Sequence, residues 1–336
     1  MENTQRFDKL FAFGDDLDRT PVIEWADWWD KTIHSWREQG LPQEVKSGED
    51  IKNYFGQDKL HQFWLPIRDK GCQQAQSHGG PIIRDEKDYA KIKKHLYTDR
   101  LLSDIEHGIK AFLRANRDED YAYWISMDGF FWFPRTLFGI ENHLFAFYDY
   151  PELMQAVNYD LCAYHKRCIE VVWALITPKF MTFAEDMSYN GGPMISKEKY
   201  DEFMLPYYKE LTPLLKAKGT KVLIDTDGNV EPLIPWFLEG GIEGILPLER
   251  MAGVDINRIR RQYPDLILIG GYDKTVMHKG EDAMRTEFER ILPVILSGGY
   301  IPGVDHQTPP DVKMEDYYIF MRLLREYSKK VSRKEQ

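Results

Sequence analysis

Polar side chains follow a series of short apolar runs, and they are the residues best suited to do chemistry. Carboxylates and imidazoles can act as general acids, general bases or metal ligands. If the runs are strands of a parallel barrel, their carboxyl ends meet at one rim and these side chains converge there. In chain order the candidates are Glu24, Asp128, Glu185, Asp186, Asp225, Asp227, Glu249, Asp273, Lys274, Asp305 and His306.

Carboxylates that converge in this way repel one another unless a cation, a proton or a basic substrate neutralises them. An aspartate at a strand-to-helix turn is also a common N-cap, so each single residue has a structural explanation that the whole set does not share. The residues that we predict to be catalytic are Glu185, Asp186, Asp225, Asp227 and His306. Those that we predict to bind substrate are Glu24, Trp25, Trp28, Asp128, Glu249, Asp273 and Lys274.

The turn at residues 225–229 reads Asp-Thr-Asp-Gly-Asn. Alternate residues that leave a strand point the same way, so Asp225 and Asp227 could reach one ion together with His306. Two carboxylates and one imidazole favour a hard divalent ion or a weakly held zinc. An Asp-Gly-Asn sequence also forms turns without any metal, and His306 could equally be an acid, a base or a packing residue.

Aromatic residues lie next to these acids in the sequence. They could hold a flat or a cationic ligand, since aromatic faces stack on flat groups and attract cations. The long apolar run at residues 129–147 contains Pro134 and Gly139, which indicates a buried loop and helix rather than a membrane span. The aromatic candidates are Trp25, Trp28, Trp29, Phe130, Phe131 and Trp132.

Elements that would position these residues are clearest after residue 175, where β-rich runs alternate with helical stretches, as in βα units around a parallel sheet. In the first half, strands are expected at residues 20–25, 81–84 and 122–127. The later strands are expected at 180–183, 221–224, 244–248, 266–269 and 300–301, and the helices at 197–217, 230–239, 255–262, 281–296 and 314–330.

Composition limits the function classes. The net charge is −10 and the basic residues form no stripe, so nucleic acid is not an expected partner. No window approaches the ~20 apolar residues of a membrane span and the N-terminus has no signal-like apolar region, so we expect a cytoplasmic protein that acts on a small molecule. Cys72, Cys162 and Cys168 match no metal or redox spacing and are expected to be reduced.

Several segments, taken in order, resemble the uroporphyrinogen decarboxylase superfamily, which includes the haem-pathway decarboxylase and cobalamin-dependent methyltransferases of anaerobes. They are residues 18–22 (DRTPV), 185–196 (EDMSYNGGPMIS), 200–207 (YDEFMLPY), 225–229, 270–274 (GGYDK) and 298–309 (GGYIPGVDHQTP). The resemblance implies an α/β fold, a single (β/α)8 TIM-like barrel over residues 1–336. A helical extension at about residues 1–20 and a frayed tail at about 329–336 are expected.

Two departures from the family concern its substrate and metal residues. The haem-pathway decarboxylase binds the carboxylates of its substrate with an Arg-Gln-Ala-Gly-Arg segment, where this chain has EWADWW at residues 24–29. An acidic, aromatic lip repels an octacarboxylate. The thiol-activating methyltransferases hold zinc on a His-x-Cys turn and a later Cys, where this chain has Asp225, Asp227 and Val304.

The resemblance therefore implies a methyltransferase of a divergent branch, which takes a methyl group from a small O- or N-methyl donor and passes it to a corrinoid carried by a partner protein. No covalently bound cofactor is expected, and a divalent metal is compatible with the acidic turn. Homodimers are common in the family and are compatible with this chain. The alternatives are a cofactor-independent decarboxylase, with Asp128 or Asp186 protonating the carbanion, and a non-catalytic tetrapyrrole- or corrinoid-binding module.

Overall fold

The computed structural model describes residues 1–333, and its centre is a curled sheet of seven parallel strands. The α/β barrel expected from the sequence is confirmed. A short antiparallel hairpin, β4 and β5, leaves the rim after β3. The strands are β1 (Leu60–Trp64), β2 (Ala122–Asp128), β3 (Phe180–Ala184), β4 (Ser188–Tyr189), β5 (Gly192–Pro193), β6 (Lys221–Asp225), β7 (Gly244–Leu246), β8 (Ile267–Tyr272) and β9 (Tyr300–Val304).

The sheet order is β1-β2-β3-β6-β7-β8-β9, so each strand of the sheet pairs with its neighbours in the chain apart from the hairpin. The register places Asp128 beside Ala184 and Ala184 beside Asp225. Because paired residues of parallel strands point to the same face, the last residues of β2, β3 and β6 form one row at the rim.

Residues 20–25 occupy the gap between β1 and β9, but they are not a strand, so that expectation was wrong. The backbone of Val22 bonds to Asp58 in both directions, with its carbonyl accepting from the backbone N–H and its own N–H donating to the carboxylate, both at 2.8 Å. On the other side the Trp25 indole donates to the Val304 carbonyl at 2.8 Å. Side chains therefore accept hydrogen bonds from backbone N–H groups that would have to pair with a neighbouring strand if this segment joined the sheet. Pro21 has no N–H group to donate.

Fourteen helices lie in the described part of the chain, and none is long and apolar enough to cross a bilayer. Short 3-10 turns add residues 93–95, 231–233, 250–252, 274–279 and 329–333. The helices are α1 (Asn3–Phe11), α2 (Asp30–Glu38), α3 (Gly48–Tyr54), α4 (Glu86–Ile92), α5 (Asp99–Ala115), α6 (Trp132–Phe138), α7 (Ile140–Asp149), α8 (Pro151–Trp173), α9 (Lys197–Phe203), α10 (Leu205–Ala217), α11 (Ile234–Glu239), α12 (Ile256–Gln262), α13 (Glu281–Ser297) and α14 (Met314–Ser328).

Local sequence explains where these elements differ from expectation. The helix expected at 197–217 is two helices, because Pro206 in the first turn of α10 lacks the N–H that a continuous helix requires. Residues 81–84 form a loop, since the N–H groups of Ile82 and Ile83 both bond to the Leu137 carbonyl. Strand β1 was not predicted. The expected tail begins in the 3-10 turn at 329–333, and its last residues, 334–336, lie outside the described residues.

The N-terminal residues pack beneath the barrel. Helix α1 buries Phe7, Leu10 and Phe11, and the Phe11 ring meets the ring of Phe180, at the start of β3, with 5.8 Å between centroids. The Leu10 carbonyl also accepts from Gly299 N just before β9. Apolar side chains of the N-terminal segment thus pack against the amino ends of the strands, opposite the ends that carry the predicted site residues.

Candidate active site

A cleft of about 320 Å³ opens at the carboxyl ends of the strands, and we call it the acidic cleft. Acids, tryptophans and one histidine dominate its wall. The small side chain of Ala184, in the row between Asp128 and Asp225, leaves room at its floor. The lining residues are Trp25, Ala26, Asp27, Gln62, Trp64, Trp124, Trp132, Ala184, Asp186, Asp225, Asp227, His306 and Gln307.

Three of the predicted acids, Asp186, Asp225 and Asp227, meet in this cleft. Burial and the charges of the other two acids raise the pKa of Asp225 well above its usual range. Burial, followed by repulsion from Asp227, raises the pKa of Asp186 to about 6. Within residues 1–333, none of the three forms an ion pair with a lysine or an arginine. The three acids are therefore crowded together without a lysine or arginine partner, so protons, His306 or a bound cation must relieve their repulsion.

The backbone at Asp186 is strained. Its φ of 43° lies in the left-handed region, which a residue with a side chain adopts at a cost of about 1–3 kcal/mol. Arg135 of α6 donates to the Asp186 carbonyl at 3.3 Å and so supports this turn. This conformation directs the chain from β3 into the rim, and the Asp186 side chain lies on the cleft wall.

His306 lies beside Asp227, with 3.5 Å between its Nε2 and the carboxylate Oδ2. The hydrogen bond to Asp227 is the main cause of a raised pKa at His306, and burial opposes it. The Trp25 ring contacts the imidazole edge-on, with 6.2 Å between ring centroids. These contacts fix the imidazole at the mouth of the turn that follows β6.

Asp227, Glu249 and His306 form a group that could hold a metal ion, because one ligand atom of each lies within 4.8 Å of the others. Two carboxylates and an imidazole suit a hard or borderline divalent cation. Glu249 also accepts from Gly228 N at 2.8 Å, which ties it to the turn. The set differs from the one expected from the sequence, since Glu249 takes the place of Asp225 in the group.

Tryptophans form much of the remaining wall, but only some of those expected. Trp25 and Trp132 line the cleft, and Trp64 and Trp124 join them. The other aromatic candidates are elsewhere: Trp29 is exposed, and the side chains that are buried in the core are Trp28, Phe130 and Phe131. Gln62, Trp64 and Trp124 were not predicted to line a site. The alternation of Leu60, Gln62 and Trp64 on one face of β1 could have indicated the first two.

Glu185 does not reach the acidic cleft. It is fully buried, and its carboxylate accepts from the backbone N–H groups of Phe130, Phe131 and Trp132 at 2.7–3.1 Å, and also from the Tyr208 hydroxyl. A Cβ on Gly129 would lie 2.0 Å from the Glu185 carboxyl carbon, so only glycine fits there. Glu185 thus positions the start of α6 and, through it, Trp132.

Several other predicted residues hold the rim together. Asp305 is buried and accepts from Arg250 N at 2.9 Å, and Lys274 lies 3.7 Å from it as its ion-pair partner. Burial raises the pKa of Asp305 to about 6. Asp273 caps the 3-10 turn after β8 by accepting from Thr275 N at 2.9 Å. Asp273 and Lys274 therefore do not line the acidic cleft.

Asp128 stands at the end of β2 and accepts from the Trp64 indole at 3.0 Å, so it orients a wall residue. Burial raises its pKa. Glu24 is 2% exposed and lies in the core against α14, where one carboxylate oxygen accepts from the Tyr317 hydroxyl at 3.1 Å and the other has no hydrogen-bond partner within residues 1–333. Burial raises the pKa of Glu24 to about 8.

Comparisons with known proteins agree with this architecture. A solved methyltransferase from Methanosarcina mazei superposes with a TM-score of 0.64 at 11% identity, covering 97% of this chain and 99% of that protein, which is a likeness of fold. The uroporphyrinogen decarboxylase of Pseudomonas fluorescens (strain Pf0-1) is 29% identical over 150 residues, which are 41% of this chain and 39% of that protein.

The decarboxylase of Pelodictyon phaeoclathratiforme is 24% identical over 141 residues, which are 40% of this chain and 39% of that protein. The chain thus matches less than half the length of these curated relatives. The family model for uroporphyrinogen decarboxylase (URO-D) matches residues 139–327, which is more than half of the chain and includes β3 to β9 and the cleft residues Asp186, Asp225, Asp227 and His306. This chain belongs to the uroporphyrinogen decarboxylase family.

Proposed function

We propose that the chain is an enzyme that transfers a methyl group from a small O- or N-methyl donor to a corrinoid carried by a partner protein. The observation that carries this proposal is the tryptophan-lined cleft in which Asp186, Asp225 and Asp227 lie together and, among the described residues, form no ion pair with a lysine or an arginine. Such a cleft favours a cationic or electron-poor methyl group, since both the carboxylates and the aromatic faces attract positive charge. The methyltransferase from Methanosarcina mazei supports the proposal through its fold.

The residues of the cleft would divide the work between binding and proton transfer. Trp25, Trp64 and Trp132 hold the donor by its flat or cationic part and exclude water from it. The donor's methyl–oxygen or methyl–nitrogen bond breaks, and the leaving atom keeps the electron pair. A carboxylic acid of the cleft, Asp186 or Asp225, donates a proton to a leaving oxygen, while the corrinoid accepts the methyl group with its own electron pair.

A divalent ion fits the donor set of Asp227, Glu249 and His306. When bound, such an ion supplies Lewis-acid stabilisation of the leaving atom. The three residues come from the turns after β6, β7 and β9, which Asp305 and the Gly228 amide hold together. The chain thus provides the ligands and their alignment from separate strand ends.

The test is methyl transfer in vitro. Purified protein is mixed with reduced corrinoid protein and either an aryl methyl ether or tetramethylammonium, and methyl-corrinoid is followed by its absorbance. We expect methylation with at least one donor class, and a loss of about a hundredfold or more in Asp225→Asn. Asp104→Asn, an exposed aspartate on α5, is the matched control. No methyl-corrinoid from either donor class would contradict the proposal.

A second candidate is a decarboxylase that acts without a cofactor on a smaller acid. It is favoured by the family, whose curated relatives are uroporphyrinogen decarboxylases. The acid-lined cleft disfavours an octacarboxylate, whereas Asp186 or Asp128 could protonate the carbanion left by a single carboxylate. Release of carbon dioxide without corrinoid would favour this candidate. Tight tetrapyrrole binding with no turnover would instead indicate the third, a binding module.

A further inference from the structure

A second cavity of about 320 Å³ adjoins the acidic cleft, and Trp132 and Asp186 line both. Its other walls are the loop after β1, the glycine-rich loop at residues 78–80 and helix α6. Two arginines, Arg68 and Arg135, line it. We call this cavity the arginine chamber. Its charge is opposite to that of the acidic cleft beside it.

Aromatic rings and single hydrogen bonds hold the two guanidinium groups in place. Arg68 lies over the Phe133 ring, 5.3 Å from its centroid, and donates to the Thr136 hydroxyl. Arg135 lies over the Trp132 ring at 5.2 Å and donates to the Asp186 carbonyl. Stacking of this kind restrains the planar groups, so little further entropy is lost when they bind a ligand.

Neither guanidinium group is neutralised by a carboxylate of the described chain. Each has five N–H donors, yet each makes one hydrogen bond to the protein. Asp128 attracts Arg68 and Asp186 attracts Arg135, but neither carboxylate forms an ion pair with these arginines. Support of the neighbouring Thr136 and Asp186 uses one N–H donor of each arginine. The remaining N–H donors are left for a ligand in the cavity that both side chains line.

We propose that the arginine chamber binds an oxyanion group of the substrate, a carboxylate or a phosphate, while the methyl-bearing part lies in the acidic cleft. Guanidinium forks match both oxyanions, and hydrogen bonds between opposite charges are the strong ones. Because the two cavities adjoin at Trp132 and Asp186, a single small molecule that passes these side chains reaches both. The substrate is then a methylated acid rather than a neutral ether or a simple amine. Only the methyl end of this inference rests on the proposed function.

Calorimetric titration tests the chamber without turnover. The probes are 4-methoxybenzoate, its neutral analogue 4-methoxybenzamide, and inorganic phosphate. If the oxyanion is a carboxylate, the benzoate binds about tenfold or more tightly than the amide; if it is a phosphate, inorganic phosphate binds and competes with the benzoate. Arg68→Gln weakens the bound anion about tenfold or more and leaves the amide unchanged. Arg68→Lys, which keeps the charge but loses the fork, gives an intermediate loss.

Arg117→Gln is the matched control, because Arg117 is exposed before β2, at the opposite end of the barrel, and pairs only with its exposed neighbour Asp118. Circular dichroism and thermal melting check that each variant is folded. Equal binding of benzoate and amide, equal affinity in Arg68→Gln and the wild type, or no binding of any anion overturns the inference. Anion binding that depends on Arg68, without methyl transfer from any donor, would retain the chamber and reject the proposed reaction.

Discussion

Two sets of carboxylates follow the barrel strands, and they differ in what surrounds them. Glu185 and Asp305 are buried among backbone N–H groups that their oxygens accept from. Asp186, Asp225 and Asp227 face a cleft, with His306 as the one basic group in ion-pair contact among the described residues. The first set stabilises loops, and the second stores repulsion that a ligand can relieve. Both sets follow strands, so their position in the sequence does not separate them. Their roles differ in whether backbone N–H groups already donate to the carboxylate oxygens.

The largest effect on stability is expected from a substitution in the first set, the carboxylates that accept from buried backbone N–H groups. Glu185→Ala leaves the N–H groups of Phe130, Phe131 and Trp132 buried without an acceptor, so we expect the free energy of unfolding to fall by about 3 kcal/mol or more. Urea denaturation measures it, with the exposed Glu170→Ala as control. A loss below about 1 kcal/mol would mean that Glu185 is not the support that its contacts indicate.

A second substitution tests which carboxylates at the cleft bind a metal ion. Glu249→Gln removes one charge from the group formed with Asp227 and His306 but keeps an oxygen to accept from Gly228 N. We expect affinity for Mn²⁺ or Zn²⁺ to fall about 10- to 100-fold with little change in stability. Asp225→Asn should retain the metal, because Asp225 is outside the group. Calorimetric titration of both variants with the metal ion measures these affinities. A larger loss of affinity in Asp225→Asn than in Glu249→Gln would instead support Asp225, Asp227 and His306, the ligands expected from the sequence.

Glu24 belongs to neither set, because it is buried with one oxygen unpaired. Its folded pKa of about 8 is above the ordinary value of 4.5, so the fold favours the protonated acid. Its stabilising contribution is complete below pH 4.5 and is lost as pH rises through 8. Between pH 6 and 9 the wild type should therefore lose about 2 kcal/mol relative to Glu24→Gln. Parallel unfolding curves for the two proteins across that range would contradict this assignment.

Much of the second half of the fold could be predicted because its strands are largely apolar runs with an acidic residue at their end or within three positions of it. Strand β1 could not, since its sequence LHQFW mixes polar and aromatic residues on a half-exposed edge. Residues 20–25 looked like a strand for the opposite reason. Their sequence is apolar, as in a strand, but their backbone N–H groups donate to side chains instead of to a neighbouring strand. Val22 N donates to the Asp58 carboxylate and Glu24 N to the Gln57 amide oxygen.

The same limit applies to the site. Asp225, Asp227 and His306 could be found because each lies at the end of a strand or two residues after it. The sequence did not distinguish Glu185 from them, because its hydrogen-bond donors are backbone N–H groups that only the fold brings together. Arg68 and Arg135 gave no signal, since one is in a loop and the other is in a short helix. Their pairing in one chamber depends on tertiary packing alone.

The most direct test of the central claim is the free energy of unfolding of Asp225→Asn at pH 7 in chelator, measured by urea denaturation against the wild type. If the cleft acids are kept for function and repel one another, the amide removes repulsion without removing a hydrogen bond. Stability should then be unchanged or rise by up to about 1 kcal/mol. A fall of about 2 kcal/mol or more would show that Asp225 supports the fold, as Glu185 does, and would contradict the separation of the two sets.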